Sequence, residues 1–511
     1  MADPFYITTA ISYPNGRPHI GHAYEVIATD AIARYHRLAG RDVFFLTGTD
    51  EHGLKMAQAA RARDLAPIAL ADEMSGHFQE MARVLNISND RFIRTTEPAH
   101  YAASQALWQA MERNGDIYSG RYEGWYSVRD EAFYDEKELI DGEGDEKLSP
   151  QGTPVEWTVE ESWFFRLSAY ADRLLEHYEA QPDFIRPEGR RNEVVSFVRG
   201  GLADLSISRT SFDWGVPVPG ADGHVMYVWV DALTNYLTAT GYPDDTARYE
   251  RLWPADLHVI GKDIVRFHAV YWPAFLMSAG LPLPRQVFGH GFLLNRGEKM
   301  SKSVGNVVDP IEMARIYGVD QLRYFLLREV SFGQDGSYSH EAIVTRGNAD
   351  LANGLGNLAQ RCLSMIAKNI NGLVPNPGTL LDIDRRLLGE IAAAADAARD
   401  AMADLALHNA LASLWEGVSA ANVYFADQAP WAVRKTDPAR ADQILYVAAE
   451  AVRRIAILVR WAIPESADKL LDLLGQGADA RDFASLDKPL QPGLALPPPQ
   501  GVFPRWVEPA A

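Results

Sequence analysis

Residues 5–25 read FYITTAISYPNGRPHIGHAYE, and this stretch decides the fold. Phe5-Tyr6-Ile7-Thr8-Thr9-Ala10 is β-branched and aromatic, the composition of a strand. Tyr13-Pro14-Asn15-Gly16 is a turn signal. Beyond it Ile20, Ala23, Ile27, Ala31 and Tyr35 recur at steps of three and four, one apolar face of a helix. Gly40 stands where a helix stop is wanted. Arg41-Asp42 then lead into Val43-Phe44-Phe45-Leu46, a second apolar strand. Strand, helix, strand is the unit that parallel strands need, because a tight turn cannot join them. The tetrapeptide His19-Ile20-Gly21-His22 falls where the first strand hands over to its helix. Ligands of open α/β sheets bind at that end of the strands. A helix start offers its free N–H groups to phosphate. Gly21 would let a flat ring lie close to the backbone, and the imidazoles of His19 and His22 could bond phosphate oxygens. Alone, the tetrapeptide also reads as a plain helix start with two surface histidines.

About 280 residues later, Val287-Phe288 ends an apolar strand and Gly289-His290-Gly291 follows. Arg296-Gly297-Glu298 opens a polar loop carrying Lys299-Met300-Ser301-Lys302-Ser303. Two lysines on such a loop can fold over a polyphosphate and leave with it. A solvated charge run would have the same composition. Both motifs in this order, each in its own local context, point to activation of a carboxylate by ATP.

With longer strings added, the chain resembles the class I aminoacyl-tRNA synthetases, and more narrowly the methionyl-tRNA synthetase family. The strings include TTAISYPNGRPHIGHAYE (8–25), FLTGTDEHG (45–53), ISRTSFDWGVPVP (207–219), YVWVDALTNY (227–236), IGKDIVRFHAVYWPA (260–274) and GHGFLLNRGEKMSKSVGNVVDP (289–310). NLAQR (357–361) and APW (429–431) continue the match, which covers nearly the whole chain. The implied fold is α/β, a Rossmann-like catalytic domain with a connective insert, followed by an all-α anticodon-binding helix bundle. The expected division is 1–115 and 206–285 for the two catalytic halves, with 116–205 as the insert. A KMSKS loop and stem-contact region then spans 286–345, the bundle 346–484 and a proline-rich C-terminal strap 485–511.

Composition agrees with this reading. At 511 residues the length suggests two to four domains. A hydrophobic content of 47% and a charged content of 23% are those of an ordinary globular protein. No run of 18 apolar residues occurs, so no membrane span is expected. Met1-Ala2-Asp3-Pro4 lacks the basic and apolar regions of a signal peptide. The single cysteine, Cys362, excludes an intramolecular disulfide, suits a cytoplasmic enzyme, and reads as a helix packing residue. A net charge of −19 argues at first against a nucleic-acid partner. Distribution matters more than the sum. Arg186, Arg190 and Arg191, Lys299 and Lys302, and Arg434 and Lys435 suggest a basic track on an acidic body.

The resemblance implies two-step transfer. Methionine's carboxylate attacks the α-phosphate of ATP, and the adenylate then passes methionine to the terminal adenosine of tRNA(Met). On this reading His19, His22, Lys299 and Lys302 are catalytic. His19, Gly21, His22, Asp263, Lys299, Ser301 and Lys302 bind ATP, which brings Mg²⁺ with it. Asp50 takes the methionine ammonium, with Arg209 as a nearby ionic partner. Ile11, Tyr13, Trp229, Ala232, Tyr236, His268 and Trp272 surround the thioether, whose sulfur favours aromatic neighbours. Leu233 stands where some relatives have proline, which leaves the fine shape of that segment open. Asn357, Arg361 and Trp431 occupy the positions that read the CAU anticodon. By pattern alone Trp431 would more often be core. Many relatives bind zinc through cysteine pairs in the insert. Here the matching stretch is Tyr126-Ser127-Val128-Arg129-Asp130-Glu131-Ala132-Phe133, so no structural zinc is expected, with packing of Trp125, Tyr126, Phe133 and Trp157 in its place. The chain is expected to be a monomer without the C-terminal dimerisation domain of some relatives.

Other class I synthetases would share the two motifs. An insert of about 90 residues is too small for the editing domain of the branched-chain enzymes. A cysteine enzyme would be expected to carry zinc-ligating cysteines. A cofactor-forming nucleotidyltransferase would be much shorter. A non-catalytic tRNA-binding scaffold would not need both motifs intact.

Overall fold

The structure, a computed structural model, describes residues 3–129, 132–142, 144, 146–295, 298–299 and 307–507, without the side chains of 122, 132, 133, 160, 298 and 299. Its centre is a parallel sheet of six strands in the spatial order Arg91–Arg94, Asp42–Thr49, Pro4–Thr9, Leu257–Gly261, Val287–His290 and Ile185–Arg186. Every neighbouring pair is parallel, with Phe5 opposite Val43, Thr9 opposite Val259 and Val259 opposite Phe288. The strands are buried nearly end to end, as a sheet covered on both faces demands. Side chains alternate between two cores. Phe5, Ile7, Phe45 and Val259 face one, and Tyr6, Leu46 and Ile260 face the other. The expected strand–helix–strand start is present, its helix running Ile20–Leu38, with Gly40 at φ 83° just beyond. Strand order reverses between Pro4–Thr9 and Leu257–Gly261, and crevices at such switch points hold ligands.

The insert is built on a long antiparallel pair, Ile117–Ser127 against Glu156–Phe165. Ala132–Tyr134 and Leu205–Ser206 extend it on either side. Strand Ile185–Arg186, within the 116–205 segment, returns to the edge of the main sheet, and that sheet takes Val287–His290 from beyond position 285. The chain after Val287–His290 continues into Leu293–Asn295, which pairs with Glu298–Lys299 and Gly336–Tyr338.

The remainder is helical. Asp382–Ala403 and Leu407–Gln428 are joined by three residues, which forces them antiparallel. Pro438–Val459 is buried over most of its length and forms the middle of the bundle. One apolar core runs from the sheet through helix Val319–Glu329 into this bundle. At the joint the buried guanidinium of Arg323 donates to Asp30 of the first helix at 2.6 Å and to the carbonyls of Trp461 and Ala462. Residues 490–496 lie along the bundle as an extended strap. Val374 N–H donates to Leu494, Leu496 N–H to Gly372, and the Tyr446 hydroxyl to Leu490. Among the described residues no helix is long and apolar enough to cross a membrane.

Candidate active site

The first helix is capped by its own histidines. His19 Nδ1 accepts from Gly21 N–H, and His22 Nδ1 accepts from His19 N–H, both at 3.1 Å. The rings lie 3.9 Å apart. A backbone N–H can only donate, so Nδ1 of each ring holds a lone pair and the proton sits on Nε2. Each imidazole therefore keeps Nε2–H as its donor. Gly21 has a local reason to be glycine, because a Cβ there would lie 2.8 Å from His19 Cε1. Ile20 N–H donates to Val308, tying the helix start to the chain that follows the lysine loop. The backbone of Lys299 ends a short strand, while Ser301 and Lys302 lie outside the described residues.

Beside this helix start is a cavity of about 420 Å³. Of the residues expected around methionine, Ile11, Tyr13, Asp50, Trp229, Ala232, Tyr236 and His268 line it. Of those expected around ATP, His22 and Asp263 line it as well. One wall is helix Val228–Thr238, whose spacing brings Trp229, Ala232 and Tyr236 to one face. Trp229 stacks on Phe267 at 3.7 Å and 6°. The Tyr236 hydroxyl meets His268 Nε2 at 2.7 Å, and His268 Nδ1 meets the Ile264 carbonyl at 3.0 Å. A carbonyl only accepts, so His268 is protonated at Nδ1 and takes the tyrosine proton at Nε2. Burial pulls the His268 pKa down to about 4, so this wall is neutral at physiological pH. Tyr13 is fixed by the Met56 N–H at 2.9 Å, with Lys55 Nζ 5.0 Å from its ring centre.

Trp272 and Arg209 stand one layer behind. Trp272 is fully buried, with its ring 6.1 Å from that of Tyr236. Arg209 is buried, bonds the Ser206 hydroxyl and the Ser208 carbonyl, and lies 4.5 Å over Tyr227. Residues not singled out from sequence complete the cavity. Glu25, three residues after His22 and so on the same helix face, pairs with His290 at 2.8 Å. Burial pushes the Glu25 carboxyl up against the opposing pull of His290. Burial pulls His290 down, but the Glu25 carboxylate and the Gly291 carbonyl outweigh it and raise its pKa. Lys55, Asn235 and Phe267 line the cavity too, and Arg129, Tyr134 and Gln151 of the insert reach it. Within the insert Trp125 meets Trp157 edge-on at 5.5 Å, although Trp157 is itself 56% exposed. The Thr153 hydroxyl bonds those of Ser127 and Ser149, both at 2.7 Å. The side chain of Phe133 lies outside the described residues.

A second cluster lies on the bundle. Asn357 opens helix Asn357–Asn369 and is exposed. Arg361, one turn on, places its guanidinium 5.2 Å from the ring centre of Trp431 and 5.0 Å from that of Phe425. Trp431 is 45% exposed rather than core, in the short helix Pro430–Val433 that follows the left-handed Ala429 at φ 40°. Cys362, next to Arg361 in helix Asn357–Asn369, is buried, and burial pushes its thiol up to about 12, the state of an inert packing group.

Comparison with known proteins separates the same two regions. Residues 5–363 match the family described as tRNA synthetases class I (M), and residues 374–509 match the anticodon binding domain of methionyl tRNA ligase. The methionine–tRNA ligase of Brucella suis is 65% identical over 507 residues, 99% of this chain and 98% of the relative. The structure of Mycobacterium tuberculosis methionyl-tRNA synthetase in complex with methionyl-adenylate superposes with a TM-score of 0.97 at 62% identity, covering 98% of this chain and 100% of that one. Its free form gives a TM-score of 0.90 at 57% identity, covering 100% and 99%. With matches of this extent over both the cavity-bearing sheet and the helical bundle, the chain belongs to the methionyl-tRNA synthetase family of class I.

Proposed function

We propose that this cavity joins methionine to ATP and passes the methionyl group to the 3′-terminal adenosine of tRNA(Met), initiator and elongator alike. The observation that carries the reading is a single cavity with a neutral aromatic wall, the Asp50 carboxylate and the histidine-capped helix start. Trp229, Tyr236, His268, Ile11, Tyr13 and Ala232 enclose the thioether, and Asp50 holds the ammonium. Trp272 and Arg209 act from behind, the first backing Tyr236 and the second bracing the segment at 206–208.

A methionine carboxylate oxygen attacks the α-phosphorus of ATP. The bond from that phosphorus to its bridging oxygen breaks, and pyrophosphate leaves. No protein nucleophile is needed, because the attacking carboxylate is already ionised. Catalysis is positioning and neutralisation of phosphoryl charge. The Nε2–H groups of His19 and His22 donate to the phosphates, Gly21 keeps the approach open, and Asp263 faces the ribose. Lys299, Ser301 and Lys302 hold the departing pyrophosphate. Mg²⁺ arrives on the triphosphate, its usual mode of binding. The terminal hydroxyl of tRNA then attacks the carbonyl carbon of the adenylate, and AMP leaves.

The remaining assignments belong to the same reading. The 116–205 insert covers the acceptor end, and the Ser127–Thr153–Ser149 hydroxyls tie its turns together without zinc. The 346–484 bundle presents Asn357, Arg361 and Trp431 to the anticodon, and the chain acts as a monomer. Exchange of labelled pyrophosphate into ATP, run with each of the twenty amino acids, tests the proposal. Exchange with methionine alone is expected, and Lys302→Ala lowers it about a hundredfold. Exchange with another amino acid, or a near-normal Lys302→Ala, overturns it.

A further inference from the structure

Behind the cavity wall lies a buried polar cluster that the reaction does not use. On helix Val228–Thr238 the wall residues Trp229, Ala232 and Tyr236 face the cavity, and Asp231, Thr234 and Thr238 face away. Asp231 is fully buried. Its two oxygens are met by His52 Nδ1 and His100 Nε2, each at 2.7 Å. A carboxylate only accepts, so both ring nitrogens donate to it. The outer nitrogens are used as well. His52 Nε2 pairs with the Tyr101 hydroxyl and His100 Nδ1 with Thr238 Oγ1, both at 2.9 Å. His52 is two residues past Asp50, in a loop fixed further by Trp214 Nε1 on the Glu51 carbonyl and Gly53 N–H on the Trp214 carbonyl. His100 comes from helix Pro98–Arg113.

We infer that Asp231, His52 and His100 are positioning residues that set the spacing between the Asp50 carboxylate and the Trp229–Tyr236 wall, and hence the fit of methionine between them. The inference rests on the activity proposed above. The two ends of the amino acid are bound by elements about 180 residues apart in sequence, and this cluster is a direct polar link between them. A carboxylate held at both oxygens by rings from two elements leaves the wall helix little freedom to shift relative to Asp50. Among the described residues, those proposed above to bind ATP are not hydrogen-bond partners of this cluster, whose outer partners are Tyr101 and Thr238.

The test is the methionine-dependent exchange assay on His52→Ala, His52→Asn and Asp231→Asn, with thermal melting of each. We expect the methionine KM to rise about tenfold or more in His52→Ala and Asp231→Asn, with the ATP KM within twofold of the unsubstituted chain. His52→Asn, whose amide N–H can replace Nδ1–H, is expected to return the methionine KM to within about threefold. If His52→Ala leaves the methionine KM unchanged, or raises both KM values equally, the inference falls even where exchange in the unsubstituted chain stands. No methionine-dependent exchange in the unsubstituted chain would overturn the activity and this inference with it. Should Asp231→Asn not fold, the His52 pair decides alone.

Discussion

The cavity and the cluster of Asn357, Arg361 and Trp431 on the bundle are built in opposite ways for the recognition proposed for each. In the cavity and behind its wall, polar groups are held by designated partners. Examples are Tyr236 on His268, Glu25 on His290 and His52 on Asp231. On the bundle, Arg361 and Trp431 form a partly exposed platform that rests on Phe425. A ligand the size of methionine offers few contacts, so each must be placed before it arrives. An unpaired base arrives on a large polyanion and needs only a stacking face and donors at its edge. On the proposed function, the designated hydrogen bonds are concentrated where the ligand is small.

The contrast can be broken in order of expected effect. Asp50→Ala should lower methionine-dependent exchange most, by about 10²–10³-fold, as for removal of one partner of a buried charged contact. A small loss would mean the ammonium is held elsewhere. Trp431→Ala should lower charging of tRNA by about 5–150-fold, the worth of one stacked base, and leave exchange without tRNA unchanged. A parallel fall in exchange would merge the two regions into one. Tyr236→Phe leaves His268 Nε2 without its donor and should raise the methionine KM by about 5–30-fold, read from the concentration dependence of exchange.

The smallest effect is on stability in acid. Burial pushes the Asp231 carboxyl up, but His52 and His100 more than reverse this, and its pKa falls to about 2. A carboxyl depressed in the folded state stabilises it above the ordinary value of 3.8, and that contribution is lost as pH falls toward 2. Between pH 5 and pH 3 this group should account for roughly 1 kcal/mol of lost stability. Urea unfolding of the unsubstituted chain and of Asp231→Asn at the two pH values checks it. Equal losses in both would show that Asp231 does not titrate with unfolding.

Much of this was legible in the residues. The β-branched run at 5–10, the three- and four-step apolar spacing from Ile20 and the stop at Gly40 gave the strand, helix and boundary that the structure contains. Seven of the nine residues expected around methionine line one cavity. Motif strings give residue types at positions, not the direction in which a side chain leaves the backbone. A π-helical turn at Phe267–Tyr271 sets the phase of the helix that follows, and Phe267 reaches the cavity while Trp272 faces the core behind it. Glu25 had a weak signal, a carboxylate three residues past His22 on the same helix face. The His52–Asp231–His100 cluster had none, because its members lie up to 179 positions apart and only the folded sheet brings them together.

The joint at Arg323 has a consequence for how this chain can be divided. Sequence families part it near position 370. Its fully buried guanidinium crosses that line, bound to Asp30 on one side and to the carbonyls of Trp461 and Ala462 on the other. A catalytic fragment ending at 363 would carry a cation stripped of two acceptors and facing water through a torn apolar core. The helical half is therefore not an interchangeable cassette: a graft from another synthetase would need matching acceptors at those two carbonyls, or a rebuilt seam.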